Sequence, residues 1–368
     1  MALAFYRKYR PKRLDDLLGQ ESNVEIIKNA ARKNTLGQAY LLFGPRGTGK
    51  TTTARLIAKL VNCEKRHANK KFSEEGEPCN ECRVCADIDH GRSLGVIEID
   101  AASNRGIDEI RNLKEDIQAA PVGTTHKVYI IDEAHMLTTP AFNALLKTLE
   151  EPPRHAMFVL ATTEFDKLPA TIVSRVQRFV FKKLPKAKIF EKLKTIAKAE
   201  NIKIDDDALE LVARAADGSL RDGESLLDQM SSFETTIDLA SAERLTGHTG
   251  FKTVDRLAEF ILKSDLASAL DYISKTHEEG VNTTQLTRDL IHYLRRIITL
   301  KLNPDMEAAF HAELTKEETK RLVTLATLAE PHAQLNLLKS LIRAYTEIRY
   351  SPFASIPLEI ALIEHLKA

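Results

Sequence analysis

The chain has 368 residues, enough for two or three domains with separate cores, and its 43% hydrophobic and 29% charged content is that of an ordinary globular protein. Lys and Arg number 53 against 52 Asp and Glu, a net charge of about +1, which excludes a broadly basic surface and confines any DNA contact to a local patch. Tryptophan is absent and aromatics are 6%, which argues against a base-stacking surface, and no apolar run is long enough to predict a membrane span.

The N-terminal stretch MALAFYRKYRPKRLDDLLGQ is charged almost from its start and lacks an apolar core and a small-residue cleavage site. It is therefore not read as a secretory signal, and a cytoplasmic location is the default expectation. LGQAYLLFG (36–44) is a β-like run that ends in a glycine loop, and KTTTARLIAKLVN (50–62) places apolar residues at helical spacing. LGVIEIDA (94–101), HKVYIIDEA (126–134) and HAMFVLATT (155–163) are three more short apolar runs that suit buried parallel strands. TTPAFNALLKTLEEPP (138–153) reads as a helix stopped by two prolines. Strands alternating with helices predict an α/β domain with a parallel sheet.

After RFVFKKLP (178–185) the patterns turn helical, with few strand signals. Helices are expected over 186–202, 205–217 and 219–233, with Gly218 as a C-cap or turn residue between the last two. A second break falls near LTGHTGF (245–251), followed by amphipathic helices such as 283–302 and 331–350. Three domains are expected, over 1–180, 181–246 and 247–368.

The stretch Gly44-Pro45-Arg46-Gly47-Thr48-Gly49-Lys50-Thr51, followed by Thr52, is a phosphate-binding loop between a strand and a helix. Its glycines let backbone N–H groups surround phosphate oxygens. Lys50 is expected to reach the β- and γ-phosphates and the Thr51 hydroxyl to ligate Mg²⁺. VYIIDEAH (128–135) is the partner motif: four apolar strand residues, then Asp132 to hold Mg²⁺ and Glu133 to polarise the attacking water. The letters DEAH also occur in a helicase family, but such an enzyme needs a second α/β domain, and the chain after residue 185 reads as helical.

Cys63, Cys79, Cys82 and Cys85 are the only cysteines, the last three in PCNECRVC. Four soft ligands with two-residue spacing predict a tetrahedral structural zinc site, with an Fe–S cluster as the competing metal. Four unrelated buried thiols are disfavoured, because the segment EKRHANKKFSEEGEPC is too charged for core. The Cys63-to-Cys79 gap is expected to be a flexible loop.

From Tyr9-Arg10-Pro11 through LLGQ (17–20), the chain resembles the N-terminal nucleotide-base box of clamp-loader ATPases. GPRGTGKT, the four-cysteine insertion, IEIDAASNRG (97–106), VYIIDEAHML (128–137), FNALLKTLEEPP (142–153), LATTEFDKLPATIVSRVQRF (160–179) and DGSLRDGESLLDQ (217–229) follow at family-like distances. The series looks like the bacterial DNA polymerase III tau/gamma type, within the AAA+ class, and covers roughly residues 4–250. RYSPFASIPLEIALIEHL (349–366) resembles the end of that family's collar domain.

The resemblance implies a fold and a set of roles. The fold would be an α/β AAA+ ATPase domain (1–180) with a zinc-binding insertion (63–85), a helical lid (181–246) and an all-helical collar or oligomerisation domain (247–368). Tyr9, Arg10 and Pro11 would line the nucleotide site, Thr163 would be the sensor after the acidic motif, and Arg221 the lid's sensor in its own subunit. Arg175 would be an arginine finger completing a neighbour's site in trans. Asn104 and Arg105, opening an expected helix, are the candidates for DNA contact. The implied function is that of the ATP-hydrolysing subunit of the replicative clamp loader, in a pentameric ring with delta- and delta-prime-type subunits. ATP, Mg²⁺ and structural Zn²⁺ would be its cofactors, and the sliding clamp and primer–template DNA its partners, with no membrane. The alternatives are a branch-migration type AAA+ motor and a DExH-type helicase. Family members often continue past the collar into domains that tether the helicase and the polymerase, and those functions are not carried over to these 368 residues.

Overall fold

The computed structural model describes residues 3–104, 106, 113, 116–233, 236–246, 250–310, 314 and 316–366. They form two compact units. The first runs to Leu184 and takes in Ser219–Arg221, and the second comprises Pro185–Gly218 and the chain from Asp222 onward.

The first unit is built on a five-stranded parallel sheet: β1 (Ala39–Phe43), β2 (Val96–Asp100), β3 (Lys127–Asp132), β4 (Ala156–Thr162) and β5 (Gln177–Val180), in the order β2-β3-β4-β1-β5. The three central strands read as continuous apolar runs because both faces are covered. Tyr40, Leu42, Val128, Ile130, Met157 and Val159 enter one core, with Leu56, Ile57 and Leu60 of the phosphate-loop helix. Their neighbours Leu41, Tyr129, Ile131, Phe158 and Leu160 enter the other, with Phe142 and Leu145. Successive strand residues point to opposite faces, so one apolar run feeds two cores.

The longest helices among the described residues of this unit are α1 (Glu21–Arg32), α2 (Lys50–Asn62), α3 (Arg83–Asp89) and α4 (Thr139–Glu150). Thr138 caps α4, accepting the N–H of Ala141, and Pro152 and Pro153 stand just beyond its end. α2 lies against the sheet, every residue from Thr53 to Asn62 except Arg55 being buried. At its C-terminal end Asn62 Oδ1 accepts the N–H of His126 at 2.8 Å and of Thr125 at 3.1 Å, tying the helix to the start of β3.

The segment between Cys63 and Cys79, expected as a flexible charged loop, is folded. It contains the short helices Glu64–Ala68 and Lys70–Ser73. Arg66 is buried and donates to the carbonyls of Leu60, Ser73 and Ala31 at 3.2, 3.1 and 2.9 Å. Glu77 is fully buried, accepts the N–H groups of Leu14 (2.8 Å) and Asp15 (3.1 Å) and pairs with Lys28 at 3.1 Å. Charge did not keep this segment out of the core, because each buried charge has its hydrogen bonds filled.

In the second unit, α5 (Lys186–Ala199), α6 (Asp206–Ala215), most of α7 (Leu220–Phe233) and α8 (Leu239–Thr246) are accompanied by a parallel strand pair, Lys203–Ile204 with Thr236–Ile237. Two-residue strands carry no periodicity, so the sequence gives no sign of them. α9 (Phe251–Leu262), α10 (Leu266–Glu278), α11 (Thr283–Leu302), α12 (Lys316–Leu328), α13 (Pro331–Ile348) and α14 (Ile356–Leu366) share one core around Leu257, Leu290, Leu294, Leu341 and Leu362. Among the described residues after Leu184 there is no second large sheet. Among the described residues, no helix is long and apolar enough to cross a membrane.

Leu160 is fully buried in β4 between β1 and β3. Leu160→Ala is expected to cost about 2–5 kcal/mol, read as a lower urea midpoint for the sheet unit; a loss well under about 1 kcal/mol would contradict this packing.

Candidate nucleotide site and cysteine centre

The parallel register sets the C-terminal ends of three neighbouring strands side by side. Phe43 pairs with Thr162, and Ile131 pairs with Leu160. The loop after β1, the acidic pair after β3 and Thr163 after β4 therefore meet, at the strand ends where open α/β sheets bind ligands.

Gly44, Gly47 and Gly49 all have positive φ, at 143°, 71° and 101°. A Cβ on Gly44 would collide with the carbonyl oxygen of Phe181, so glycine is required there for shape as well as for backbone angle. The Gly44 N–H donates to Thr162 O at 3.2 Å, and Thr48 Oγ1 donates to Pro45 O at 2.8 Å. Lys50 is buried, and its ammonium donates to the carbonyls of Gly44 and Pro45 at 2.8 Å each. Burial lowers the Lys50 pKa, and the nearby Glu133 and Asp132 oppose that shift. Pro45 and Arg46 are exposed at the loop tip, and Thr51 and Thr52 are half-buried at the helix start. α2 begins at Lys50, so its N-terminal N–H groups and the positive end of its dipole face the loop.

Thr51 Oγ1 donates to Asp132 Oδ2 at 2.7 Å, joining the two motifs across 81 residues of sequence. Glu133 has φ of 47°, a left-handed conformation uncommon outside glycine. Its N–H donates to Asp132 Oδ1 at 3.0 Å. Its carboxylate Oε2 accepts Thr163 Oγ1 at 3.0 Å and the Thr163 N–H at 3.3 Å. Thr51, Asp132, Glu133 and Thr163 thus form one hydrogen-bonded chain beside Lys50.

The two arginines stand apart. Arg175 is bonded away from this cluster: Nε donates to Glu150 Oε1 at 2.9 Å, and Nη1 donates to Thr171 O at 2.6 Å and to Ser174 Oγ at 3.1 Å. Arg221 is brought to the loop. A Cβ on Gly47 would collide with the Ser219 hydroxyl and stand 3.3 Å from Arg221 Cβ. The Arg221 guanidinium lies 4.9 Å from the Tyr6 ring centroid, a cation–π contact. Sequence reasoning missed Tyr6 and Ser219, since nothing in their local spacing marks them.

Tyr9, Arg10 and Pro11 are half-buried. Tyr9 packs edge-on against Phe5, with centroids 6.1 Å apart. Burial lowers the Arg10 pKa, as does the charge of Arg55, itself paired with Glu98 through two 2.6 Å hydrogen bonds. Asn104 is exposed and closes the turn after β2, its Nδ2 donating to Asp100 O at 3.2 Å. Arg105 lies outside the described residues.

The four cysteine sulfurs lie within 4.8 Å of one another, and Cys79 Sγ is 4.0 Å from Cys85 Sγ. A zinc ion bound at about 2.3 Å would set tetrahedral sulfurs about 3.8 Å apart, so the cluster is compatible with that ion. Backbone N–H groups of Cys79, Glu81, Cys82 and Cys85 point at sulfurs at 3.3–3.5 Å, an arrangement that favours thiolates. The Cys85 thiol beside it pulls the Cys63 pKa well below its usual range, and the Cys85 pKa rises in turn. Cys63 caps the C-terminal end of α2, so the centre is attached to the helix that starts in the phosphate loop.

Comparisons with known proteins match three successive parts of the chain. Residues 19–185 match the family described as DNA polymerase III, delta subunit; 188–233 match DNA polymerase III clamp loader subunit, ATPase lid domain; and 237–368 match DNA polymerase III subunits gamma and tau domain III. The DNA polymerase III subunit tau of Bacillus subtilis is 40% identical over 362 residues, 98% of this chain and 62% of that protein. The DNA polymerase III subunit gamma of Buchnera aphidicola (Schizaphis graminum) is 35% identical over 97% of this chain and 96% of its own length. Among solved structures, the Thermotoga maritima RuvB Holliday junction branch migration motor aligns with a TM-score of 0.47 at 18% identity, over 69% of this chain and 79% of that one.

Proposed function

We propose a clamp-loading function for this chain, which belongs to the gamma and tau subunit family of DNA polymerase III. On this reading it is the ATP-hydrolysing subunit of the replicative clamp loader, an AAA+ ATPase. ATP binding drives opening of the sliding clamp and its placement on primer–template DNA, and hydrolysis releases both. The observation that carries the reading is the convergence of Lys50, Thr51, Asp132, Glu133 and Thr163 at three adjacent strand ends. A subunit that only bound a partner would not need that set.

Each residue has a role in this scheme. The loop N–H groups from Gly44 to Thr52 cradle the phosphates, and Lys50 exchanges its carbonyl partners for phosphate oxygens. Mg²⁺ supplies charge neutralisation at the phosphates, and Thr51 and Asp132, whose oxygens already meet, are the residues to hold it. Glu133 takes the proton of the attacking water, and Thr163 fixes the Glu133 carboxylate. Tyr9, Arg10 and Pro11 border the nucleotide base, and Arg221, beside Gly47, reads the nucleotide from the lid of the same chain. Arg175 has its own partners away from the loop, as suits a finger serving a neighbouring subunit.

The proposed domains are 1–180 for the ATPase, with the zinc insertion at 63–85, then 181–246 for the lid and 247–368 for the collar. The partners are delta- and delta-prime-type subunits in a pentameric ring, the sliding clamp and primed DNA, with Asn104 and Arg105 as DNA contacts, in the cytoplasm.

Three measurements test this reading. Reconstituted with the other loader subunits, the chain is expected to hydrolyse ATP faster when sliding clamp and primed DNA are added together; an unchanged rate overturns the loader assignment. Arg175→Ala is expected to keep ATP affinity while lowering hydrolysis in the assembled ring by about 10³-fold, the lower end for arginine fingers; normal turnover in that ring removes the role. Elemental analysis is expected to find about one zinc per chain, with its removal by thiol modification and chelation lowering the melting temperature. Iron in place of zinc would replace that centre with a cluster.

A further inference from the structure

The donors of Arg175 are nearly all in use. A guanidinium carries five N–H hydrogens. Nε and Nη2 both donate to Glu150 Oε1, the first at 2.9 Å. Nη1 donates to Thr171 O at 2.6 Å and to Ser174 Oγ at 3.1 Å. Four of the five hydrogens are thus committed to acceptors of the same chain, and one on Nη2 is left. The Arg175 side chain is nonetheless 32% exposed and that of Glu150 47%, so the pair stands at the surface, where another molecule can reach it.

The two sides of this grip differ in kind. Thr171 and Ser174 belong to the same stretch as Arg175, the first in the short helix Ala170–Val173 and the second at its C-terminal cap. They hold Nη1 against its own segment. Glu150 is the last residue of α4, 25 positions away in sequence. A carboxylate there meets the negative end of the helix dipole, so helix stability does not account for its place. The same dipole deepens the negative potential at Glu150 and with it the attraction for Arg175. With Nη1 taken up, the Nε–Nη2 edge is the one through which this guanidinium can take a phosphate by two parallel hydrogen bonds. Glu150 covers that edge. A carboxylate and a phosphate cannot occupy it together, and their like charges repel.

We infer that Glu150 restrains the Arg175 finger, covering the donor edge that meets a neighbouring subunit's phosphate and letting go before the finger acts. This rests on the finger role proposed for Arg175 and adds a resting state to it. At rest the guanidinium is neutralised by the carboxylate. At work the same edge faces the charge that develops on the γ-phosphate. Thr171 and Ser174 keep Nη1 in both states, so release frees two donors without losing the direction of the finger. A surface ion pair is a weak bond, which suits a contact that opens in every turnover. The restraint therefore tunes the rate and does not block it.

The test uses this chain reconstituted with the other loader subunits, with assembly checked by gel filtration. It measures hydrolysis at saturating ATP, without sliding clamp or DNA, and affinity for a fluorescent ATP analogue. Glu150→Gln keeps the shape of the side chain and removes its charge. It is expected to raise the rate by about fivefold, the equivalent of roughly 1 kcal/mol for a surface ion pair at about 1.36 kcal/mol per tenfold, with affinity unchanged. Glu150→Ala, which removes the acceptor as well, should also raise it. Neither change should alter the rate in an Arg175→Ala ring, since the effect runs through the finger. A rate at or below wild type in either variant overturns the inference, a fall marking Glu150 as a support of the finger instead. So does a rise that persists in the Arg175→Ala ring. Normal turnover with Arg175→Ala alone would remove the finger role, and a wild-type rate no higher than that of Lys50→Ala would remove the ATPase reading itself.

Discussion

The constraint on which the site depends is the register of β3, β4 and β1. Each of these strands is buried on both faces, so a slip of one residue along a neighbour would exchange its two core faces at once. Tyr129 and Phe158 stack at 5.4 Å on one face, while Tyr40 and Phe179 pack at 5.8 Å on the other. Large side chains above and below leave little room for a shifted pairing. The hydrolytic residues inherit that precision. Thr51, Asp132, Glu133 and Thr163 sit within a residue or so of strand or helix ends whose positions are fixed by packing rather than by loop conformation.

The parts of this arrangement that were legible in the sequence are the local ones. The apolar runs announced the strands, and the glycine loop announced the start of α2. Lys50, Thr51, Asp132 and Glu133 each stand at a fixed offset from such a signal. What the sequence did not display are contacts between distant residues of unremarkable type. Tyr6 and Arg221 meet across most of the chain, and Leu14 and Glu77 across 63 residues. His135 carries no periodicity, and its hydrogen bond to Thr162 follows from the adjacency of β3 and β4. Arg175 and Arg221 read alike on the page as surface cations. The family resemblance gave them different roles, and the fold sets one beside the loop and the other on Glu150.

The cysteine segment shows a different limit. Its run of charges argues for solvent by composition, yet Arg66 and Glu77 are among the buried residues of the unit. Composition measures what a side chain would lose on leaving water. It does not register the carbonyls of Leu60, Ser73 and Ala31, or the N–H groups of Leu14 and Asp15, that replace the water. Burial of a charge is decided by partners supplied from elsewhere in the chain.

The ties of α2 to β3 have a mechanical consequence. The 13 residues of the helix rise about 20 Å, and the six residues of the strand extend about the same distance. They run in opposite directions and are joined at both ends, by Thr51 on Asp132 and by Asn62 on the N–H of His126. Two struts of equal length, pinned at each end, make a closed frame. In such a frame the strut carrying the loop cannot slide along the other without breaking both pins. Buried from Thr53 to Asn62 except at Arg55, and fastened beyond Asn62 by Cys63 in the sulfur cluster, it holds the loop and the acidic pair at one fixed spacing.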